Sequence, residues 1–242
     1  MKCDKKFLIC FLISLFFALN FSFGQDVEEL DQNYSEFWTD ITFGKPLNEK
    51  WTVGGDLGFR TAFNNRNWKL IYVRPNINYK VFPFFNFTFG VGSFNTFSPD
   101  FFNTYEFRIY QDANFIGPKL GFFNFSHRIR LEQRFFNYSD SDINNEFSFR
   151  GRYMIATRTD KFSMGGEKDW TAFLSLEPFF PLGREVTEIL ANNFRWDTAL
   201  AYQVSENLRI ELHYILQTSE IFSSNDLRVV EHIFRFRLFQ RL

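Results

Sequence analysis

The sequence predicts an all-β fold, a transmembrane antiparallel β-barrel of about twelve strands, with ten as the alternative count. Three observations lead there. Most of the chain after residue 33 alternates apolar and polar side chains with period two, the repeat of a strand whose two faces meet different surroundings. Many of these runs cover about 9–12 residues, enough for a tilted bilayer crossing, against ~5–6 in soluble sheets. Finally, 37 phenylalanines coexist with a mean hydropathy of −0.24, the balance that results when greasy and polar positions alternate. An AT-rich genome also inflates Phe, Asn, Ile and Lys, so composition suggests the barrel without proving it.

The opening stretch "MKCDKKFLICFLISLFFALNFSFGQDVEEL" is read differently from the rest. Lys2, Lys5 and Lys6 precede an apolar run at 7–19, broken only by Ser14, and Ser22 and Gly24 are small residues before Gln25. This is the grammar of a signal peptide over residues 1–24, and the run is short for a ~20-residue membrane helix. Cys10 lacks the small residue before it that lipidation requires, and Cys3 comes too early. Both cysteines fall in the removed segment, so the mature chain carries no disulfide framework and no thiol chemistry. "QDVEELDQN", residues 25–33, is acidic without strand periodicity and reads as an N-terminal periplasmic or interior tail. Residues 34–242 then form the barrel. A formal net charge of −1 offers no basic surface for nucleic acid.

From Tyr34 onward the strands follow one another, with no helix or repeat between them. "FWTDITFG" ends at the turn "KPLNEK". "WTVGGDLGFRT" sets Val53, Leu57 and Phe59 against Thr52, Asp56 and Arg60. "KLIYVRPNINY" and "FNFTFGVGSF" form a pair joined at Phe82 and Pro83, in which Ile71, Val73 and Ile77 oppose Tyr72, Arg74 and Asn76. "YEFRIYQD" follows, and the turn "FIGPKLG" leads into "FNFSHRIRLEQRF". The loop "NYSDSDINN" leads into "FSFRGRYMI". The last third supplies "WTAFLSLEPF", "FRWDTALAYQV", "LRIELHYILQ" and "VVEHIFRFRLFQRL", with the short turn "SEN" suited to a periplasmic hairpin. Longer loops fall near residues 98–102 and 182–193.

The nine residues "HRIRLEQRF" carry the sharpest signal. As a strand they present Arg128, Arg130, Glu132 and Arg134 on one face and Ile129, Leu131, Gln133 and Phe135 on the other. A lipid-facing arginine at mid-bilayer costs ~2–4 kcal/mol, so the charged parity belongs inside. The same parity gathers a lumen charge cluster of Glu106, Arg108, Arg128, Arg130, Glu132, Arg134, Arg150 and Arg152. Asp40, Asp56, Arg60, Arg74, Glu177, Arg195, Asp197, Arg209, Glu211, Arg235 and Arg237 also read as inward. Either these charges compensate one another across a narrow barrel, or the arginines form a constriction that selects anions or holds an acidic ligand. A soluble sandwich or lipocalin-like barrel also alternates, but a small core cannot hold this many aromatics.

Enzymatic chemistry has little support. His127 and His232 read as outward and His213 as inward, and none sits in the His-x-Ser arrangement of barrel phospholipases. No metal cluster, Gly-rich phosphate loop or paired-carboxylate motif stands out, so no catalytic, metal or cofactor site is expected.

Taken together, "KPLNEKWTVGGDLGFR", "YEFRIYQD", "HRIRLEQRF", "FRGRY", "LEPFF", "FRWDTALAYQV" and "LRIELHY" resemble the outer-membrane proteins grouped as domain of unknown function 2490, common in Bacteroidota. The resemblance covers nearly all of the mature chain, and the Arg-x-Arg-x-Glu-x-Arg strand is its most specific part. It implies a Gram-negative outer-membrane barrel without an assigned activity and brings no catalytic residues. Counting strands from Tyr34 gives about eleven, whereas bacterial barrels have even numbers; twelve is preferred, with a strand to be found within 157–169 or before Tyr34. Phe234, Phe236, Leu238 and Leu242 keep the alternation of a C-terminal insertion signal. The expected function is a structural barrel or narrow pore for small solutes, its partners outer-membrane lipid and the barrel-assembly machinery. The alternatives are a lipid-acting hydrolase and a soluble periplasmic ligand-binding barrel.

Overall fold

Aromatic and β-branched residues at alternate positions favour extended, pleated backbone. The described residues form eleven strands: β1 (Gln32–Pro46), β2 (Trp51–Ala62), β3 (Lys69–Phe82), β4 (Phe85–Phe97), β5 (Asn103–Leu120), β6 (Phe123–Ser139), β7 (Glu146–Thr159), β8 (Trp170–Leu182), β9 (Ala191–Gln203), β10 (Leu208–Ile221) and β11 (Leu227–Arg241). The computed structural model describes residues 32–242 except 64–67, 100–101, 140–143, 167–168, 184–185, 187–190 and 222–226. The expected signal peptide and residues 25–31 of the expected tail lie outside the described residues; Gln32 and Asn33 belong to β1.

Each strand pairs antiparallel with its sequence neighbours, and β1 pairs in parallel with β11 from Gln32↔Val229 to Gly44↔Arg241. The result is a closed all-β barrel of eleven strands, not the twelve preferred or the ten held in reserve. The reason is geometric. An odd antiparallel series leaves its first and last strands running the same way, and here they join as a parallel seam. Every strand then has two neighbours, so no edge remains for a twelfth. In the stretch 157–169, Thr157 to Thr159 end β7, and Phe162 makes an isolated bridge to Trp170.

"FIGPKLG" departs from its expected role as a turn. β5 continues to Leu120, with its register against β6 shifting between Ile116 and Lys119, where Pro118 has no N–H for the ladder. The reversal falls to Gly121, whose φ of 59° lies in the left-handed region. The strands run 12–18 residues, longer than expected, because pairing satisfies the backbone well beyond the central belt.

The connections divide by rim. At one rim the described links are 47–50, 83–84, 121–122, 160–169 and 204–207, mostly tight turns, and β11 ends there beside Gly44. At the tightest, Asn48 Oδ1 accepts from the backbone N–H groups of Lys50 and Trp51 at 2.9 Å each. The other rim holds longer links, among them 98–102 and 183–190, and β1 starts there. Phe102 and Val186 from two of those links pack on Phe136 and Tyr138 of β6.

Alternation fixes the faces. Ile71, Val73, Phe89, Ile129, Phe149 and Leu212 are exposed on the outer wall, whereas Glu106, Glu132, Arg150 and Glu211 are buried inside. The seam is filled from within by Trp38, Ile215 and Ile233, all at most 3 % exposed. On β4, Gly90 faces Tyr110 across the β4–β5 pair, and a Cβ there would collide with that ring.

Two substitutions test this architecture. With Cys3 and Cys10 replaced by serine, Thr39→Cys and Phe236→Cys face each other in the parallel register and should cross-link on oxidation; Thr39→Cys with Leu238→Cys, two residues out of register, should not. Gly90→Ala should destabilise the barrel by ~1–3 kcal/mol in urea unfolding, with Tyr110→Ala relieving part of the loss.

Candidate functional site

All eight residues of the expected lumen cluster face the interior, on β5, β6 and β7. Period two places them there, and antiparallel pairing brings Arg108 opposite Arg134, and Arg130 opposite Arg152. Like charges side by side need shared anions, and Glu132 supplies the first. Fully buried, it accepts from Arg150 Nε at 2.7 Å, Arg152 Nη1 at 3.1 Å and Arg108 Nη1 at 3.3 Å, with Arg130 Nη1 at 3.8 Å. Glu106 takes Arg108 Nε at 2.8 Å and Arg134 Nε at 2.7 Å.

Further anchors were only partly legible. Asp112 pairs with Arg130 through two parallel bonds of 2.6 and 2.7 Å, the fork geometry that arginine allows and lysine does not. Glu177 of β8 joins Arg128 at 2.5 Å and Arg152 at 2.6 Å, extending the network from β6 and β7 onto β8. Asp40 of β1 holds Arg235 at 2.5 Å and Arg237 at 2.7 Å, so ion pairs also bolt the parallel seam. Asp56 binds Arg74, and Glu211 gathers Arg209, Arg158 and Arg237. His213 lies inside between Asp197 at 2.8 Å and Glu211 at 3.1 Å.

Aromatic rings interleave with the guanidinium groups. Arg130 lies over Tyr110 at 4.6 Å, Arg134 over Phe136 at 4.6 Å, Arg108 over Phe94 at 4.1 Å and Arg152 over Phe179 at 4.6 Å. The sequence reading passed over the inward rings of Phe94, Phe136 and Phe179, together with Glu36, Glu231 and Arg158. Parity was the signal that would have found them: Glu36 and Trp38 share the face of Asp40, and Glu231 shares that of Arg235 and Arg237.

At the centre remains a cavity of about 370 Å³, bordered by twelve arginines and six acidic residues. Arg60 sits on its wall, 3.9 Å over the Trp38 ring and 5.0 Å over Tyr72. Arg195 lies 5.2 Å from the same indole, its Nε donating to Gln217 at 2.8 Å and its Nη1 3.9 Å from Glu177.

The two outer histidines are also paired. His127 Nδ1 lies 2.8 Å from the Tyr153 hydroxyl, and His232 Nδ1 2.8 Å from that of Tyr214. Away from the lumen, Lys119 and Asn124 both donate to Asp160 in the 160–169 link, hydrogen bonds that hold this carboxyl below its ordinary pKa.

Removing the Glu132 charge should therefore cost far more than removing an exposed one. Glu132→Gln leaves three guanidinium groups short of a buried carboxylate, and a loss of ~3–5 kcal/mol is expected in urea unfolding. Asp160→Ala, at the exposed Lys119 pair, should leave the midpoint nearly unchanged.

The family model described as "Protein of unknown function (DUF2490)" matches residues 35–228, and the chain belongs to that family. No curated protein and no solved structure matches it.

Proposed function

We propose that this member of the DUF2490 family is an integral outer-membrane barrel, exported behind a cleaved signal peptide, with a cross-linked lumen that passes at most small solutes. One observation carries the reading. Among the described side chains, no Asp, Glu or Arg occupies an outward strand position, and the outward lysines, Lys45 and Lys69, lie at strand ends. A soluble barrel gains nothing from an uncharged outer wall, and an apolar belt this large is a liability in water. In lipid each charge excluded from mid-wall saves ~2–4 kcal/mol.

Aromatic placement supports the same reading. The Trp51 and Tyr79 rings lie tilted against each other at 4.5 Å, and those of Trp170 and Tyr202 at 4.8 Å, both pairs at the short-turn rim, where a membrane interface favours amphipathic rings. At ~3.3 Å per residue and a tilt of ~40°, strands of this length rise ~30–45 Å, enough for the hydrocarbon core and both interfaces. The short-turn rim then faces the periplasm and the longer links face outward. Outer-membrane lipid and the barrel-assembly machinery are the partners this requires.

A catalytic role is not part of the proposal. On the outer wall His127 and His232 each meet a tyrosine hydroxyl, a hydrogen bond that orients the ring and presents no serine for attack.

Extraction separates the readings. The protein should stay with the membrane fraction through carbonate and urea washes, and release without detergent would overturn the proposal in favour of a soluble barrel. Ile129→Arg, at mid-wall, should lower folded stability in lipid by ~2–4 kcal/mol. In planar bilayers, the crossed lumen should give a conductance well below that of an open porin, with anions preferred; a wide, cation-preferring channel would contradict it.

A further inference from the structure

Buried polar atoms almost always find a partner, so those that do not point to something missing. Among the described residues five buried side-chain atoms lack one: Glu36 Oε1, Glu231 Oε1, Arg60 Nε, Arg128 Nε and Thr157 Oγ1. The first four belong to residues that border the same cavity. Two are acceptors on acids, and two are donors on arginines.

The acids come from the seam. Glu36 and Glu231 sit on the paired strands β1 and β11, each 1 % exposed. One oxygen of each is engaged: Trp38 Nε1 donates to Glu36 Oε2 at 2.6 Å, and Gln217 Nε2 donates to Glu231 Oε2 at 2.6 Å. Among the described residues neither acid has an ion-pair partner within 4 Å. Arg60 likewise has no ion pair or hydrogen bond among the described residues; it lies against Trp38 and Tyr72 and borders the cavity. Trp38 is thus a shared landmark, with Glu36 at its N–H edge and Arg60 and Arg195 near its ring.

The signs of these groups select the ligand. A bare cation would answer the two carboxylates but would face Arg60 and Arg195 and leave the arginine donors unmet. A bare anion would answer the arginines and meet two buried acids. A small zwitterion satisfies both, giving ammonium hydrogens to Glu36 and Glu231 and carboxylate oxygens to Arg60 and its neighbours. We propose that the cavity binds a free α-amino acid or short peptide, held between the Glu36–Glu231 pair and Arg60. About 370 Å³ gives room for one such molecule. The inference needs only the closed barrel and stands whether or not the barrel spans a membrane.

The test uses the full mature barrel folded in detergent, its fold checked by heat-modifiable gel mobility. Calorimetric titration with L-alanine and with alanylalanine should give saturable binding of one molecule per barrel for at least one of them. Propionate and ethylamine, each carrying one of the two charges, should bind about tenfold more weakly or worse. Glu36→Gln and Arg60→Gln should each weaken the zwitterion by about tenfold or more, the loss of one charge-assisted hydrogen bond. Should either variant fail to fold, the comparison of ligands on the unaltered protein still decides. No binding of either zwitterion to the folded barrel, or equal binding of propionate or ethylamine, overturns the proposal. Extraction behaviour tests the membrane reading separately, so the two fail independently.

Discussion

A sheet with one charged face and one apolar face can satisfy both only if the two surroundings differ, and closure is what separates them. Thirteen parallel pairs between β1 and β11 remove the last free edge. Once the edge is gone, parity becomes location, and the even residues of β6, of β7 and of β5 ahead of its register shift are committed to the lumen. The buried ion pairs, the apolar outer wall of the described strands and the central cavity all follow from that commitment. An open sheet of the same residues would leave Glu132 and its arginines in water and expose the backbone of two strands.

Filling the lumen with charge carries an energetic cost that arginine is suited to offset. Desolvating an isolated ion costs several kcal/mol even after relaxation, so each buried group needs more than one partner. Glu132 meets three arginines within hydrogen-bond distance, Glu106 two, and Asp112 binds one through both oxygens. The planar guanidinium can hold a carboxylate at its edge while an aromatic ring covers its face, as Arg130 does between Asp112 and Tyr110. Lysine offers no such second surface. Pairs that span strands, such as Arg128 with Glu177 and Arg158 with Glu211, turn separate hairpins into one braced wall.

The barrel and its polarity were legible because both rest on local repetition. Arg128, Arg130, Glu132 and Arg134 declare an inside within seven residues, and no distant contact is needed to read it. The strand count was not legible, since it depends on whether residue 36 finds residue 233, a pairing that leaves no mark in either stretch. For the same reason the cavity escaped notice. Glu36 and Glu231 look like unremarkable strand acids until the seam places them together, and Arg60 looks like any inward arginine until its lack of a carboxylate is visible. Partner choice within the network is likewise a matter of register: Arg130 could be matched with several acids by parity alone, and only the β5–β6 alignment directs it to Asp112.

The seam is also the part of the fold with the least local support. Ten antiparallel pairings join strands that follow one another through links short enough to close cheaply. The eleventh joins Asp40 to Arg235, 195 residues along the chain. Contacts of such long range form late, because loop entropy is lost before they reward it. A late, parallel contact needs its own fastening, and the seam has two kinds. Trp38, Ile215 and Ile233 pack there as an apolar core inside a polar lumen, and Asp40 clamps Arg235 and Arg237 just below. Glu36 and Glu231 stand beside that core with unmet oxygens, which adds a repulsive, desolvated pair where the barrel can least spare stability. A ligand that answers both acids would strengthen the seam itself, so occupancy of the cavity and integrity of the closure are physically linked.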